Sequence, residues 1–84
     1  MRISSFVTWT KRDGELLLMN TNSQKCLILD EIGKMIWKKI QGGLTKEEIV
    51  KDFISEFGTE EAEVIEDDVA NFLRVLYEND IIEE

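Results

Sequence analysis

One thiol and eighteen carboxylates are the side chains of this sequence whose types could support chemistry, and their spacing works against it. The chain has no histidine, so the commonest general base is missing. Cys26 stands alone. It has no partner for an internal disulfide, and one thiol without imidazole cannot make an ordinary zinc site. Free cysteines are usually buried as small apolar residues, and Cys26 is expected to be one. Asp67-Asp68 and Glu60-Glu61 look like carboxylate pairs, but helical neighbours point about 100° apart and do not share a site. Gly42-Gly43 lacks the further glycines and the lysine of a phosphate loop, and no stretch has the ligand spacing of an EF-hand. A nucleophile with its base, a tuned acid–base pair, a metal cage and a cofactor cradle are all missing from the pattern. The residues therefore predict a protein that is not an enzyme and that uses neither metal nor cofactor.

Charge narrows the partners. The formal net charge is −8. Residues 1–29 carry four basic and two acidic side chains, whereas residues 30–84 carry six basic and sixteen acidic. Eight acidic residues and no basic one lie between Lys51 and Arg74. A field of that sign repels phosphate backbones. A solvated helix surface explains such a run, and a preference for basic partners would also use it. Nucleic acid is not an expected partner. Neither is a membrane: no run approaches the length of a span, and Met1-Arg2-Ile3-Ser4-Ser5 opens no apolar signal region. Cytoplasmic residence is the default expectation.

At 84 residues the chain is expected to form one domain, 1–84, with enough apolar material, 43%, for one core. Phe6-Val7-Thr8-Trp9-Thr10 is β-branched and aromatic, as strands are. Asp13-Gly14 follows as a type I′ hairpin signal. Glu15 to Met19 reads as the returning strand, its apolar run pointing to burial on both faces or to a helix start that tertiary contacts override. Asn20-Thr21-Asn22-Ser23 is turn chemistry, and Lys25 to Leu29 is a third strand. Asp30 caps a helix over 31–41, with Ile32, Met35, Ile36 and Ile40 on one face. Gly42-Gly43 ends it. Thr45 and Glu48 form a capping box for a second helix presenting Ile49, Phe53, Ile54 and Phe57, which Gly58 stops. Thr59 is expected to cap a third helix over 60–79, and Ile81-Ile82 to tuck back onto the core. Strands then helices in separate runs predict an α+β domain, a three-stranded antiparallel sheet followed by three helices.

The third helix has more apolar face than a core needs. With Ile65 at zero and about 100° per residue, Val69, Phe72, Leu73 and Leu76 form one stripe, and Val64, Asp68, Asn71 and Val75 form a second, part polar, beside it. Asp67, Ala70, Arg74 and Glu78 face the other way, toward solvent. The second stripe is either a wide packing face or one wall of a groove. The other wall would be the third strand, which lies at a sheet edge unless something covers it, and open edges are either protected or used. Completing the sheet with a partner strand would be β-augmentation. A third helix carrying only Arg74 against seven acidic residues from Glu60 to Glu78 is a poor DNA-recognition helix.

Asp13-Gly14, Leu29-Asp30-Glu31-Ile32-Gly33, Ile36-Trp37, Gly42-Gly43-Leu44-Thr45, Glu48-Ile49 and Asp68-Val69-Ala70-Asn71-Phe72-Leu73, in this order and spacing, resemble the PqqD family over residues 13–82. The family commonly has Leu-Asn where Leu29-Asp30 stands, and glycine often precedes its closing apolar pair, here Ile81-Ile82 after Asp80. The resemblance implies a small winged-helix-like domain. It implies a peptide chaperone or recognition element that holds the leader of a ribosomally made precursor peptide for a modifying enzyme of radical-SAM or lasso type. The leader would lie as a fourth strand between the third strand and the third helix. Carried over by position, the strand wall is Lys25, Cys26, Leu27 and Ile28, and the helix wall is Val64, Asp68, Asn71, Phe72 and Val75. Trp37 matches a family position and is expected to be a core or interface aromatic. The rival readings are a winged-helix adaptor for protein interaction and a DNA-binding regulator.

Overall fold

The protein, as a computed structural model, describes residues 1–84. It runs β1 (Arg2–Ile3), β2 (Val7–Arg12), β3 (Glu15–Asn20), β4 (Cys26–Leu29), α1 (Glu31–Gln41), α2 (Lys46–Phe57), a single 3-10 turn at Thr59–Glu61, α3 (Ala62–Glu78) and β5 (Ile82–Glu83). The three-stranded antiparallel sheet has the order β2-β3-β4. Its first hairpin turns where both residues hold positive φ, Asp13 at 51° and Gly14 at 81°, as a type I′ turn requires.

The register decides which residues meet the helices. Leu16 lies opposite Leu29 and Leu18 opposite Leu27, so these four share a face, and Leu16, Leu18 and Leu29 are buried. Leu17 lies opposite Ile28 and Met19 opposite Cys26 on the other face. No second layer covers that face. The apolar run of β3 is thus fully buried on one side only, with Leu17 and Met19 half-buried. Cys26 is exposed, against the expectation that it is a core residue: period-two alternation sends it outward because its neighbours Leu27 and Leu29 face in.

Local chemistry sets the helix ends. The Asp30 carboxylate accepts from Gly33 N at 2.7 Å. The Thr45 hydroxyl accepts from Glu48 N at 3.2 Å while Glu48 accepts from Thr45 N at 2.9 Å, the reciprocal box. Thr59 does not cap α3; it opens the 3-10 turn, and α3 begins at Ala62 without a side-chain cap. The preceding Gly58, at φ 97°, redirects the chain so that a tighter turn intervenes. One core gathers Leu18 from the sheet, Ile36, Trp37 and Ile40 from α1, Ile49 and Phe53 from α2, Val69, Leu73 and Leu76 from α3, and the tail residues Ile81 and Ile82. Trp37 is 2% exposed, its indole N–H has no hydrogen-bond partner, and its ring meets Trp9 edge-on at 5.9 Å.

A close approach joins α1 to α3. A Cβ on Gly33 would lie 2.9 Å from the Phe72 ring and 3.1 Å from the Asp30 carboxylate. Alanine favours helix over glycine by about 1 kcal/mol, but the overlap costs about 1–3 kcal/mol. Gly33→Ala is expected to lower stability by about 1 kcal/mol and to move the Phe72 ring, visible in urea denaturation and in aromatic NMR shifts. A more stable variant would show that the contact yields freely.

Candidate functional site

β4 is an edge strand, and its outer rim is open. The N–H of Asn20 donates to Lys25 O at 2.9 Å, which sets the antiparallel alternation. Leu27 and Leu29 therefore turn their backbone groups toward β3, and Cys26 and Ile28 turn theirs to the rim. No turn, loop or cap hydrogen bond reaches either residue. The N-terminal arm does not seal the rim, because β1 pairs with β5 (Arg2 opposite Glu83, Ile3 opposite Ile82). That pair, unforeseen in the sequence, leaves the edge free by using the arm elsewhere.

α3 does not pack closely on this strand; its close neighbours are α2 and β5. Lys25 closes one end of the gap. Its ammonium donates to Glu78 O at 3.0 Å and lies 3.5 Å from the Asp80 carboxylate, so β4 is tied to the C-terminal end of α3. Val75 is half-buried one turn back along the helix, and Phe72, also half-buried, meets Gly33. Asn71 and Asp68 are exposed. The carboxamide oxygen of Asn71 accepts from Arg74 at 3.4 Å.

An apolar cleft of about 340 Å³ opens between α1, α2, the 3-10 turn and α3, its lining including Ile32, Phe57, Glu61, Val64 and Asp68. Val64 and Asp68 thus belong to this cleft rather than lying directly across from β4. Ile32 and Phe57, which helical periodicity assigns to the core, are about half exposed here. They sit at the open corner where three helices diverge, so their apolar face meets a cleft instead of a neighbour. The cleft's two charged side chains, Glu61 and Asp68, are both acidic.

The strand wall is divided by alternation. Leu27 turns its side chain toward the helix layer, half-buried. Cys26 and Ile28, the latter 59% exposed, offer the rim their backbone groups while their side chains occupy the outer sheet face. Away from this flank, burial, with the Glu84 carboxylate beside it, pushes the Tyr77 hydroxyl above its ordinary value. No cluster of three or more His, Cys, Asp or Glu converges to hold a metal, and no helix is long and apolar enough to cross a membrane.

The protein thus has an edge strand with a free rim, tied by Lys25 to the C-terminal end of α3. The family model for coenzyme PQQ synthesis protein D (PqqD) matches residues 15–82. The chain belongs to the PqqD family. Among solved structures it is similar to TbiB1 in complex with the TbiA(beta) leader peptide, with 30% identity, 99% of this chain and 95% of that chain covered, and a TM-score of 0.85. It also shares its fold with lasso peptide synthetase B1 complexed with the leader peptide, at 18% identity, 99% and 96% coverage and a TM-score of 0.82. No curated protein matches. The PqqD match begins at β3 and takes in β4 and the three helices, the elements that form the rim and its flank; β2 and the N-terminal arm lie outside it.

Proposed function

We propose that this PqqD-family protein is a non-catalytic recognition element. It binds the leader of a ribosomally made precursor peptide as a strand added to β4, and presents it to a modifying enzyme of radical-SAM or lasso type in the cytoplasm. The observation that carries this reading is the open rim of Cys26 and Ile28 beside the half-apolar flank of α3. Backbone pairing would hold any extended segment. Selection would come from side chains that reach Leu27, Phe72 and Val75, and from the acidic residues Glu61 and Asp68, which favour a lysine or arginine in the leader. The related TbiB1, solved with a leader peptide, supports the reading.

The test is titration of isotope-labelled protein with a synthetic precursor leader peptide. Amide shifts should concentrate in residues 25–29 and along α3. Val75→Asp places a carboxylate in the half-buried flank. It should weaken leader binding by about tenfold, some 1.4 kcal/mol, with the circular dichroism of the folded protein kept. Unchanged affinity in that folded variant would put the leader elsewhere.

A further inference from the structure

The sheet has a second open edge. We propose that β2 is a separate docking edge for an extended, acidic segment of a partner protein.

Alternation again identifies the free groups. The residues of β3 that bond β4 are Leu16 and Leu18, so Leu17 and Met19 bond the other way, to their partners Thr10 and Thr8. Val7, Trp9 and Lys11 then turn their backbone groups outward. Val7 N is occupied, donating to Ser4 O at 3.2 Å. Trp9 and Lys11 take part in no turn, loop or cap hydrogen bond, so this rim offers two unoccupied N–H and C=O pairs.

Its side chains differ from those beside β4. Trp9 is 50% exposed, yet its ring is steadied edge-on against the buried Trp37, so it presents area at little cost in conformational entropy. Lys11 and Arg12 make no ion pair; the neighbouring Lys34 is already engaged with Glu31 and the Gly14 carbonyl. Residues 1–12 contain three basic and no acidic residue in a chain of net charge −8. Asp13 and Glu15 are the nearby carboxylates, at the hairpin turn that closes this edge.

A cationic rim also selects among strands. Lysine on an edge discourages pairing with a like strand. A second copy's β2, added antiparallel, would bring no carboxylate to Lys11 and Arg12, whereas an acidic strand finds free cations and a rigid indole. Tryptophan and arginine are the residue types that most often anchor such contacts. β2 and β4 are opposite edges, so both can be filled at once, and the proposal does not rest on leader binding at β4.

The probe is a short synthetic peptide of alternating valine and glutamate, titrated into the labelled full-length protein, with the valine–lysine counterpart as control. The glutamate peptide should shift amides 8–12 and the Trp9 indole N–H, and added salt should weaken it. The double variant Lys11→Glu, Arg12→Glu should lose about tenfold or more in affinity with unchanged circular dichroism. Both residues are exposed, so this variant keeps its fold, and Trp9→Ala is the secondary test of the anchor. Absence of binding, shifts confined to residues 26–29, equal binding of the lysine peptide, or indifference to the double substitution would each overturn the proposal. So would a concentration-dependent dimer that the double variant abolishes, because the edge would then belong to a second copy.

Discussion

Ile28→Pro is expected to weaken leader binding by about 5–150-fold in a protein that stays folded, while Leu27→Pro, one residue away, should destabilise the fold itself. The contrast follows from the alternation of β4. The Ile28 N–H points to the open rim, so proline there removes a donor that serves only a guest strand, and edge strands tolerate proline at such positions. Its side chain is 59% exposed, so little packing is lost. The guest's carbonyl loses its partner and meets the ring, a penalty of about 1–3 kcal/mol, or about 5–150-fold in affinity. Leu27 instead sits opposite Leu18, and its N–H belongs to the ladder. Proline there removes a ladder donor and strands a buried carbonyl, costing about 1–3 kcal/mol, and it disturbs the packing of a strand only four residues long. A domain of this size holds a total margin of roughly 4–13 kcal/mol. Calorimetric titration with the leader and circular dichroism read both variants. A folded Ile28→Pro protein that binds at full affinity would mean that the leader does not pair with β4.

The second large effect concerns stability. Asn20→Leu should lower stability by about 2–4 kcal/mol. Asn20 is the buried hub that joins both chain ends to the sheet. Its amide donates to Asp80 O at 2.7 Å and approaches the Ser4 hydroxyl at 3.5 Å. Its carbonyl oxygen accepts from Asn22 N at 2.8 Å and Ser23 N at 2.9 Å. Leucine matches the volume and satisfies none of these groups. The Asp80 carbonyl precedes the fully buried Ile81, so the loss reaches the β1–β5 pair as well. Thermal unfolding should move down by roughly 4–8 °C per kcal/mol lost. Ser4→Ala removes a single acceptor of this network and should cost about 1 kcal/mol. A melting temperature for Asn20→Leu within a few degrees of the parent would show that water replaces the hub.

What could be read from residue order is what near neighbours decide. The hairpin at Asp13-Gly14, the caps at Asp30 and Thr45, the stops at Gly43 and Gly58 and the buried stripe of Val69, Leu73 and Leu76 all depend on contacts within a few residues, and each stands as expected. Where a local rule had competition it failed: Thr59 lies before a helix, yet the turn after Gly58 tightens to 3-10 and leaves it outside α3. The α+β order of strands and helices needed nothing beyond this level, whereas the winged-helix-like plan was implied by the family resemblance.

The candidate site rests on arrangements between distant segments. Cys26 faces solvent because no second layer covers the outer face of the sheet, a fact absent from its local sequence. Ile32 and Phe57 share the apolar periodicity of core residues, yet they line a cleft because α1, α2 and α3 diverge around them. Above all, the β4 rim is open because the N-terminal arm pairs with the tail, Arg2 beside Glu83. Helical and hairpin preferences are energies of adjacent groups and so are written locally. Whether a short arm covers a sheet edge or pairs with the tail is a small difference between competing long-range packings, and only the assembled core selects one of them.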